Sequence, residues 1–444
     1  MASALPPAAA GGGVWHLVGA AGTGMSALAE VLLDSGARVS GSDRFLDGGE
    51  ALPSLSALRR GGVELFPQDG SGVRPGLTAA VVASTAVEAD NPDLAAARAA
   101  AIPVLHRSEA LARAVAGPRL VAVAGTCGKS TTTAILGHVL AEAGLSPTVV
   151  NGAPCPAWTR GGARTGAVLR GDGPLCVAEV DESDKSHLRF NPAAAIVLNA
   201  SADHFPLDET NALFDEFLAR VEPGAPVVDA RRDPPPPARE GEWSVEFGFL
   251  GETLALPCPG LHNAADAAAA CRMALALGVP REALAPALAT FPGVSRRMQL
   301  VGRRPGGPRV VDDYAHNTEK LRSSILALQE RSRRLFAVWR PHGYAPLRKM
   351  RSDLAAMFAA ALRPDDRLLL LPVFDAGGTA DRSVSSADLA RDLAALGVEA
   401  SLPATPEEAA SEILASAGPD DIAATFGARD PALPRLARAL AAAR

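Results

Sequence analysis

The stretch Val121-Ala-Val-Ala-Gly-Thr-Cys-Gly-Lys-Ser-Thr-Thr-Thr133 decides how the rest of this chain is read. The apolar run at 120–124 predicts a buried strand, and Gly125 to Gly128 a tight turn. Ile135, Leu136, Val139 and Leu140 recur at helical spacing and predict an amphipathic helix from Ser130 onward. A strand, a glycine turn, then a lysine and a hydroxyl at a helix start describe a phosphate cradle. Backbone N–H groups and the positive end of the helix dipole face the anion there. Lys129 adds a point charge and is expected on the surface of a pre-formed turn; Ser130 offers an oxygen to Mg2+ between phosphates. The spacing is not the common G-x-x-x-x-G-K-[ST], whose first glycine would fall at Val123.

Upstream, residues 14–18 predict a strand, Gly19-Ala-Ala-Gly-Thr-Gly24 a turn, 25–33 a helix, and 37–40 a second strand ending in Gly41-Ser42-Asp43. A βαβ unit with a glycine-rich first turn binds diphosphates, and an acid after its second strand suits a ribose or sugar hydroxyl. The spacing is GxxGxG rather than GxGxxG, so the signal for NAD is weak. The strand at 81–86 ends in Ser84 and Thr85, a turn or a ligand contact.

Downstream, 148–152 is a second strand with a polar end, and 153–174 reads as a loop. Leu175-Cys-Val-Ala-Glu-Val-Asp-Glu-Ser-Asp184 begins apolar and ends with four carboxylates in six positions. Acids so close repel unless a cation is present, which suits Mg2+. The buried strand 193–198 ends in Asn199-Ala-Ser-Ala-Asp-His204. Several strands thus finish in polar residues, as ligand sites in open α/β sheets require. Between 205 and 259 only a helix at 211–221 and the surface run of prolines 234–237 are legible. Gly260-Leu-His-Asn263 starts a helix through 276; a strand at 309–311 leads to Asp312-Asp-Tyr-Ala-His316; a strand at 335–339 leads to Arg340-Pro-His-Gly-Tyr344. A strand at 367–371, ended by 375–378, and alternating helix and strand beyond it make the last third α/β as well.

These segments resemble the motifs of the Mur ligase family, which joins amino acids or peptides to a carboxylate using ATP. The resemblance rests on G-T-x-G-K-S-T, on H-L-V-G-A-A-G-T-G-M-S with G-S-D, on E-x-D-E-S-D, N-x-x-x-D-H and D-D-Y-A-H, and runs from about Trp15 to Ala428. It implies an α/β protein of three domains: Rossmann-like and UDP-sugar-binding at 14–117, a P-loop ATPase at 118–295, and a Rossmann-like domain for the amino acid and nucleotide at 296–444. It implies an ADP-forming ligase that converts the carboxylate of UDP-N-acetylmuramic acid to an acyl phosphate and joins it to an amino acid, L-alanine by the nearest resemblance, in peptidoglycan precursor synthesis. The alternatives are a sister ligase adding a peptide or another amino acid, and a non-catalytic nucleotide-binding homologue.

The implied roles fall on particular residues. ATP lies on Gly125, Thr126, Gly128, Lys129, Ser130 and Thr131, with Arg297 at the γ-phosphate and Asp312 and Asp313 beside the nucleotide. Ser130, Glu179 and His204 hold Mg2+, and Glu182 is a further ligand or a substrate contact. Lys129, Glu179, His204 and Arg297 form the catalytic set. The UDP-sugar lies on Gly19, Gly22, Gly24, Met25, Ser26, Asp43, Ser84 and Thr85, and the amino acid on His316, His342 and Tyr344. Two departures stand out. Where the family has G-R-H-N-x-x-N, with a last Asn on adenine, this chain has Asn263 followed by Asp266; where it has P-H-R-Y-[TS]-R, this chain has Gly343 and Ala345-Pro346. A carboxylate accepts from the adenine amino group but cannot donate. Without the missing Arg, the nearest basic groups for the amino-acid carboxylate are Arg340, Arg348 and Lys349.

Composition bounds the rest. A chain of 444 residues suggests about three domains, and 48% hydrophobic with 21% charged residues is ordinary globular usage. A net charge of −6 argues against general nucleic-acid binding. No apolar run approaches the ~18–20 residues of a membrane helix. Residues 1–13, rich in Ala, Pro and Gly, are expected to be a disordered tail rather than a signal peptide. Five cysteines without a C-x-x-C pair suit a reduced, cytoplasmic chain, expected to be a monomer or weak homodimer.

Overall fold

The computed structural model describes residues 12–50, 52–117, 119–202, 204–375 and 381–443. Residues 1–11 of the expected tail, Pro118 at the domain boundary, Asp203 and residues 376–378 lie outside these. The chain divides into two compact units. The first comprises Met1–Pro237, Phe247–Pro257 and Asn263–Val294; the second Ala238–Glu246, Cys258–His262 and Ser295–Arg444.

The first unit holds two separate sheets. In one, the strand order is Glu64–Phe66, Arg38–Ser42, Val14–Val18, Thr78–Ala83, Val104–His106, all parallel. In the other it is Val227–Asp229, Ala194–Val197, Arg119–Ala124, Leu175–Glu179, Thr148–Val150, Val168–Leu169. There the last strand alone runs antiparallel. Strands such as Val14–Val18 and Ala194–Val197 are buried throughout, because helices cover both faces of a parallel sheet. One apolar cluster runs from Trp15, Leu28 and Val82 through Leu120 and Val180 to Phe214, joining the two sheets' cores within this unit.

The helix after the phosphate loop, Lys129–Glu142, corrects the amphipathic expectation: it is buried nearly all round. The sheet lies on one side and the helix Leu284–Ala289 on the other. Gly137 lets the helix backbone approach Val149, whose side chain a Cβ would strike at 2.5 Å. The supposed loop 153–174 contains a 3-10 helix, Pro156–Gly162, and the strand Val168–Leu169. The helix expected at 211–221 is Leu207–Leu218, and three strands left unread follow it: Ala238–Glu240, Val245–Phe249 and Glu252–Leu256.

The second unit is a sheet in the order Gln299–Arg303, Arg309–Asp313, Ile422–Phe426, Leu335–Trp339, Arg367–Leu370, Ala400–Ser401. Gln299–Arg303 pairs antiparallel and precedes the strand expected to open this domain; the others are parallel. Its core gathers Val310, Phe336, Leu369 and Ala423 under Leu433, Leu436 and Leu440. No two of the five cysteines are joined by a disulfide, and no described helix is long and apolar enough to cross a membrane.

Candidate active site

Strand order sets the site of the first unit. Arg119–Ala124 lies between Ala194–Val197 and Leu175–Glu179 and parallel to both, so three chain segments leave the sheet at one edge. The first carries the phosphate loop, the second the acids from Glu179 to Asp184, the third Asn199. Asn199 fastens the loop: its Oδ1 accepts from Cys127 N at 2.9 Å, its Nδ2 donates to Cys127 O at 3.1 Å, and its own carbonyl accepts from Thr126 N. Ser201 N donates to Thr126 Oγ1 at 3.1 Å, so the segment leading to the exposed His204 is docked on the loop.

Gly125 and Gly128 have φ of +139° and +84°. A Cβ on Gly125 would meet Leu198 at 2.9 Å, and one on Gly128 would strike the Asp266 carboxylate. Only glycine serves at these positions, and the bare backbone that results lies just before the N-terminus of Lys129–Glu142. The loop therefore suits a phosphate.

Lys129 is not on the surface, contrary to expectation. Its side chain is 13% exposed, and its ammonium donates to Gly125 O at 2.7 Å and to Glu182 Oε2 at 2.6 Å. Burial pulls its pKa down, but Glu182, Asp181 and Glu179 outweigh burial and hold it above the ordinary lysine value. In Asp181 burial works upward and Lys129 downward; with the Ser183 bonds and Arg107 the net is a lowered pKa. Ser130 Oγ donates to Glu179 Oε2 at 2.8 Å, and Gly152 N donates to the same oxygen at 2.8 Å. A hydroxyl and a carboxylate side by side are hard oxygen donors suited to Mg2+, which fills its remaining positions with phosphate and water. No cluster of three His, Cys, Asp or Glu able to hold a metal occurs among the described residues.

At the upstream glycine turn, Gly19 and Ala20 donate to Ser42 O, and Gly22 caps the helix Thr23–Asp34. Asp43 is buried; Oδ2 accepts from Ala21 N at 2.8 Å and Oδ1 from Phe45 N at 2.9 Å, so it locks the turn against the second strand. Met25 and Ser26 point into the protein, and Ser26 Oγ donates to Thr23 O. Ser84 accepts weakly from Ala86 N at 3.4 Å and Thr85 is exposed, which is turn geometry.

Sequence reasoning missed Arg107. Its Nη1 would lie 2.9 Å from a Cβ on Gly24, so the guanidinium sits over the glycine turn, and its charge also acts on Asp181. Next to it, His106 Nε2 lies 3.3 Å from Asp184 of the acid segment. The signal was available: Arg107 opens the helix Arg107–Ala114, where the helix dipole disfavours a cation.

Asn263 and Asp266 are buried in the helix Leu261–Ala276. In the second unit Asp312 and Asp313 are buried too. Asp312 accepts from Arg296 Nε at 3.1 Å and Thr425 Oγ1 at 2.8 Å; Asp313 accepts from Met298 N at 2.6 Å and Ala315 N at 2.8 Å. These acids hold the Arg296–Met298 corner, where both residues have positive φ, to the strand end. Arg297 lies 5.0 Å over the Tyr314 ring. His316 and His342 stack edge to face at 4.9 Å, and burial with Lys320 and His342 nearby pushes His316 down to about 3. Arg340 is committed to Asp430 at 2.8 Å and Pro372 O, and Arg348 to Asp381 at 2.8 Å; Lys349 is exposed.

Comparison with known proteins agrees with this architecture. Sequence profiles described as "Mur ligase family, catalytic domain" and "Mur ligase, glutamate ligase domain" match residues 14–119 and 296–429. A UDP-N-acetylmuramate–L-alanine ligase of Paenarthrobacter aurescens is 36% identical over 450 residues, covering 94% of each chain. One from Arthrobacter sp. (strain FB24) is 37% identical over 396 residues, covering 81% of each. The crystal structure of UDP-N-acetylmuramate-alanine ligase from Thermotoga maritima superposes with a TM-score of 0.79 at 25% identity, covering 96% of this chain and 97% of that one. With relatives this similar along nearly its whole length, the chain belongs to the Mur ligase family.

Proposed function

We propose that this chain is an ATP-dependent ligase that joins L-alanine to the lactyl carboxylate of UDP-N-acetylmuramic acid, with Mg2+, in the cytoplasm where these nucleotides are made. The observation that carries the reading is the pair of contacts at the loop: Lys129 against Glu182, and Ser130 against Glu179. Named relatives with that activity support it. When bound, ATP supplies the phosphoryl group that turns a poor electrophile, the carboxylate, into a reactive one, and Mg2+ neutralises phosphate charge.

The chain's own residues then have separable tasks. The bare turn Gly125–Gly128 and the helix behind it bind phosphate through backbone N–H groups. Lys129 places a positive charge there that stays protonated at every working pH, since its acids hold its pKa high. Ser130 and Glu179 provide the oxygens for Mg2+, and Asn199 keeps the loop in register. Arg107 over Gly24 is the cation for the diphosphate of the sugar nucleotide, with Asp43 fixing the turn beneath. His204 is a further Mg2+ ligand, Arg297 the cation for the transferring phosphoryl group, and His316, His342 and Tyr344 the contacts of the amine substrate.

One observation favours a second reading, in which the amine is a peptide or another amino acid. Gly343 replaces a cation, and Arg340 and Arg348 are both engaged by Asp430 and Asp381. The test is a phosphate-release screen with UDP-N-acetylmuramate and each amino acid in turn, then with murein peptides. Release with alanine above all others supports the proposal; release with a peptide alone replaces it with the second reading.

A further inference from the structure

A cavity of about 120 Å³ opens beside the phosphate loop in the first unit, walled by Leu198, Ala265 and prolines 234–236, with Asn199 and Asp266 as polar groups. Both polar residues tie it to the loop. Asn199 bonds Cys127 through N and O, and the Asp266 carboxylate lies where a Cβ of Gly128 would be. A nucleotide with its phosphates along the loop has this cavity at hand for its base. The apolar walls suit a flat ring, and Asp266, 5% exposed, is the group placed to read its edge.

We propose that Asp266 makes this pocket select guanine over adenine; the inference rests on the ATP-type ligase reading of the same loop. A carboxylate offers acceptors only. Adenine alternates an amino donor with a ring-nitrogen acceptor, so one oxygen of Asp266 would face a lone pair. Guanine presents N1–H and its 2-amino group side by side, two donors for two oxygens in one charge-assisted bidentate contact. A mismatch of that kind in a buried site shifts preference on the order of 10- to 100-fold.

The test compares MgATP and MgGTP in two ways on the full chain. One is the rise in unfolding temperature with a non-hydrolysable analogue of either nucleotide; the other is phosphate release with UDP-N-acetylmuramate and L-alanine. The wild type should be stabilised and driven by the guanine nucleotide at concentrations on the order of tenfold lower. Asp266→Asn should reverse the order, and Asp266→Ala should lose more of the guanine than of the adenine response. The ratio of the two nucleotides is the readout, because a variant with a damaged fold loses both alike. A wild type that prefers ATP in both measurements, or a ratio unmoved by either variant, overturns the inference. If neither nucleotide shifts unfolding, the nucleotide reading of the loop itself fails and takes this inference with it.

Discussion

Lys129→Ala is expected to damage the fold as well as the chemistry. Its ammonium is the one cation bonded to Glu182, whose side chain is 4% exposed, and it is also a main influence keeping Asp181 ionised. Deleting one member of a buried pair costs about 3–5 kcal/mol, because the other is left charged in a dry place. Lys129 retains some exposure, and Glu179 keeps its bonds from Ser130 and Gly152, so the lower figure applies, about 3 kcal/mol. In a unit of this size that is a fall of about 6–12 °C in melting temperature. The pH dependence follows from Asp181. Its folded pKa is lowered in the wild type, so it contributes stability above its unfolded pKa and loses it as pH falls through the folded one. Without Lys129, burial dominates and raises that pKa, so the deficit of the variant is largest near pH 8 and shrinks toward pH 5. Glu182→Gln added to Lys129→Ala should recover part of the stability and none of the turnover, which drops by on the order of 100-fold or more. Denaturant melts of the four proteins at both pH values provide the measurement. A Lys129→Ala protein as stable as wild type at pH 8, or one whose deficit does not shrink at pH 5, refutes the reasoning.

Gly128→Ala combines a φ of +84° with a Cβ directed into the Asp266 carboxylate, and should cost about 1–3 kcal/mol in melts and abolish stabilisation by nucleotide. Glu179→Gln keeps an acceptor for Gly152 N but removes the charge beside Ser130, so the Mg2+ needed for half-maximal phosphate release should rise on the order of 10-fold. An unchanged Mg2+ curve would remove Glu179 from the metal site. Gly343 has extended backbone (φ 160°, ψ 160°), and an added Cβ meets only Pro346, at 3.4 Å or beyond. Gly343→Arg should therefore fold normally and lower KM for L-alanine, and a raised KM would count against the amino-acid subsite.

The fold was legible where its signals are local. Glycines at 125 and 128, a lysine and a hydroxyl after them, and apolar runs before them specify strand, loop and helix without reference to distant residues. What distant residues decide was not legible. Lys129 was read as a surface group because Glu182, on the neighbouring strand's exit, is invisible from the loop sequence. The helix Lys129–Glu142 was read as one-sided because nothing local announces that Leu284–Ala289 covers its other face. Val168–Leu169 is a two-residue strand between glycine- and arginine-rich segments, too short for any periodicity. At the site, the acid segment and Asn199 were found from their place at strand ends, whereas Arg107 over Gly24 depends on the packing of a helix from elsewhere in the same domain. Asp312 and Asp313, read as nucleotide contacts, carry a buried network around Arg296 and Met298 that their motif does not reveal.

The central claim is tested most directly by incubating the purified chain with UDP-N-acetylmuramate, L-alanine, Mg2+ and nucleoside triphosphate, and following the sugar nucleotide by mass spectrometry. The account predicts a product heavier by one alanine less one water, with one phosphate released per amide formed, and none from the Lys129→Ala protein. An unchanged sugar nucleotide under these conditions, with full conversion when a murein peptide replaces alanine, contradicts it.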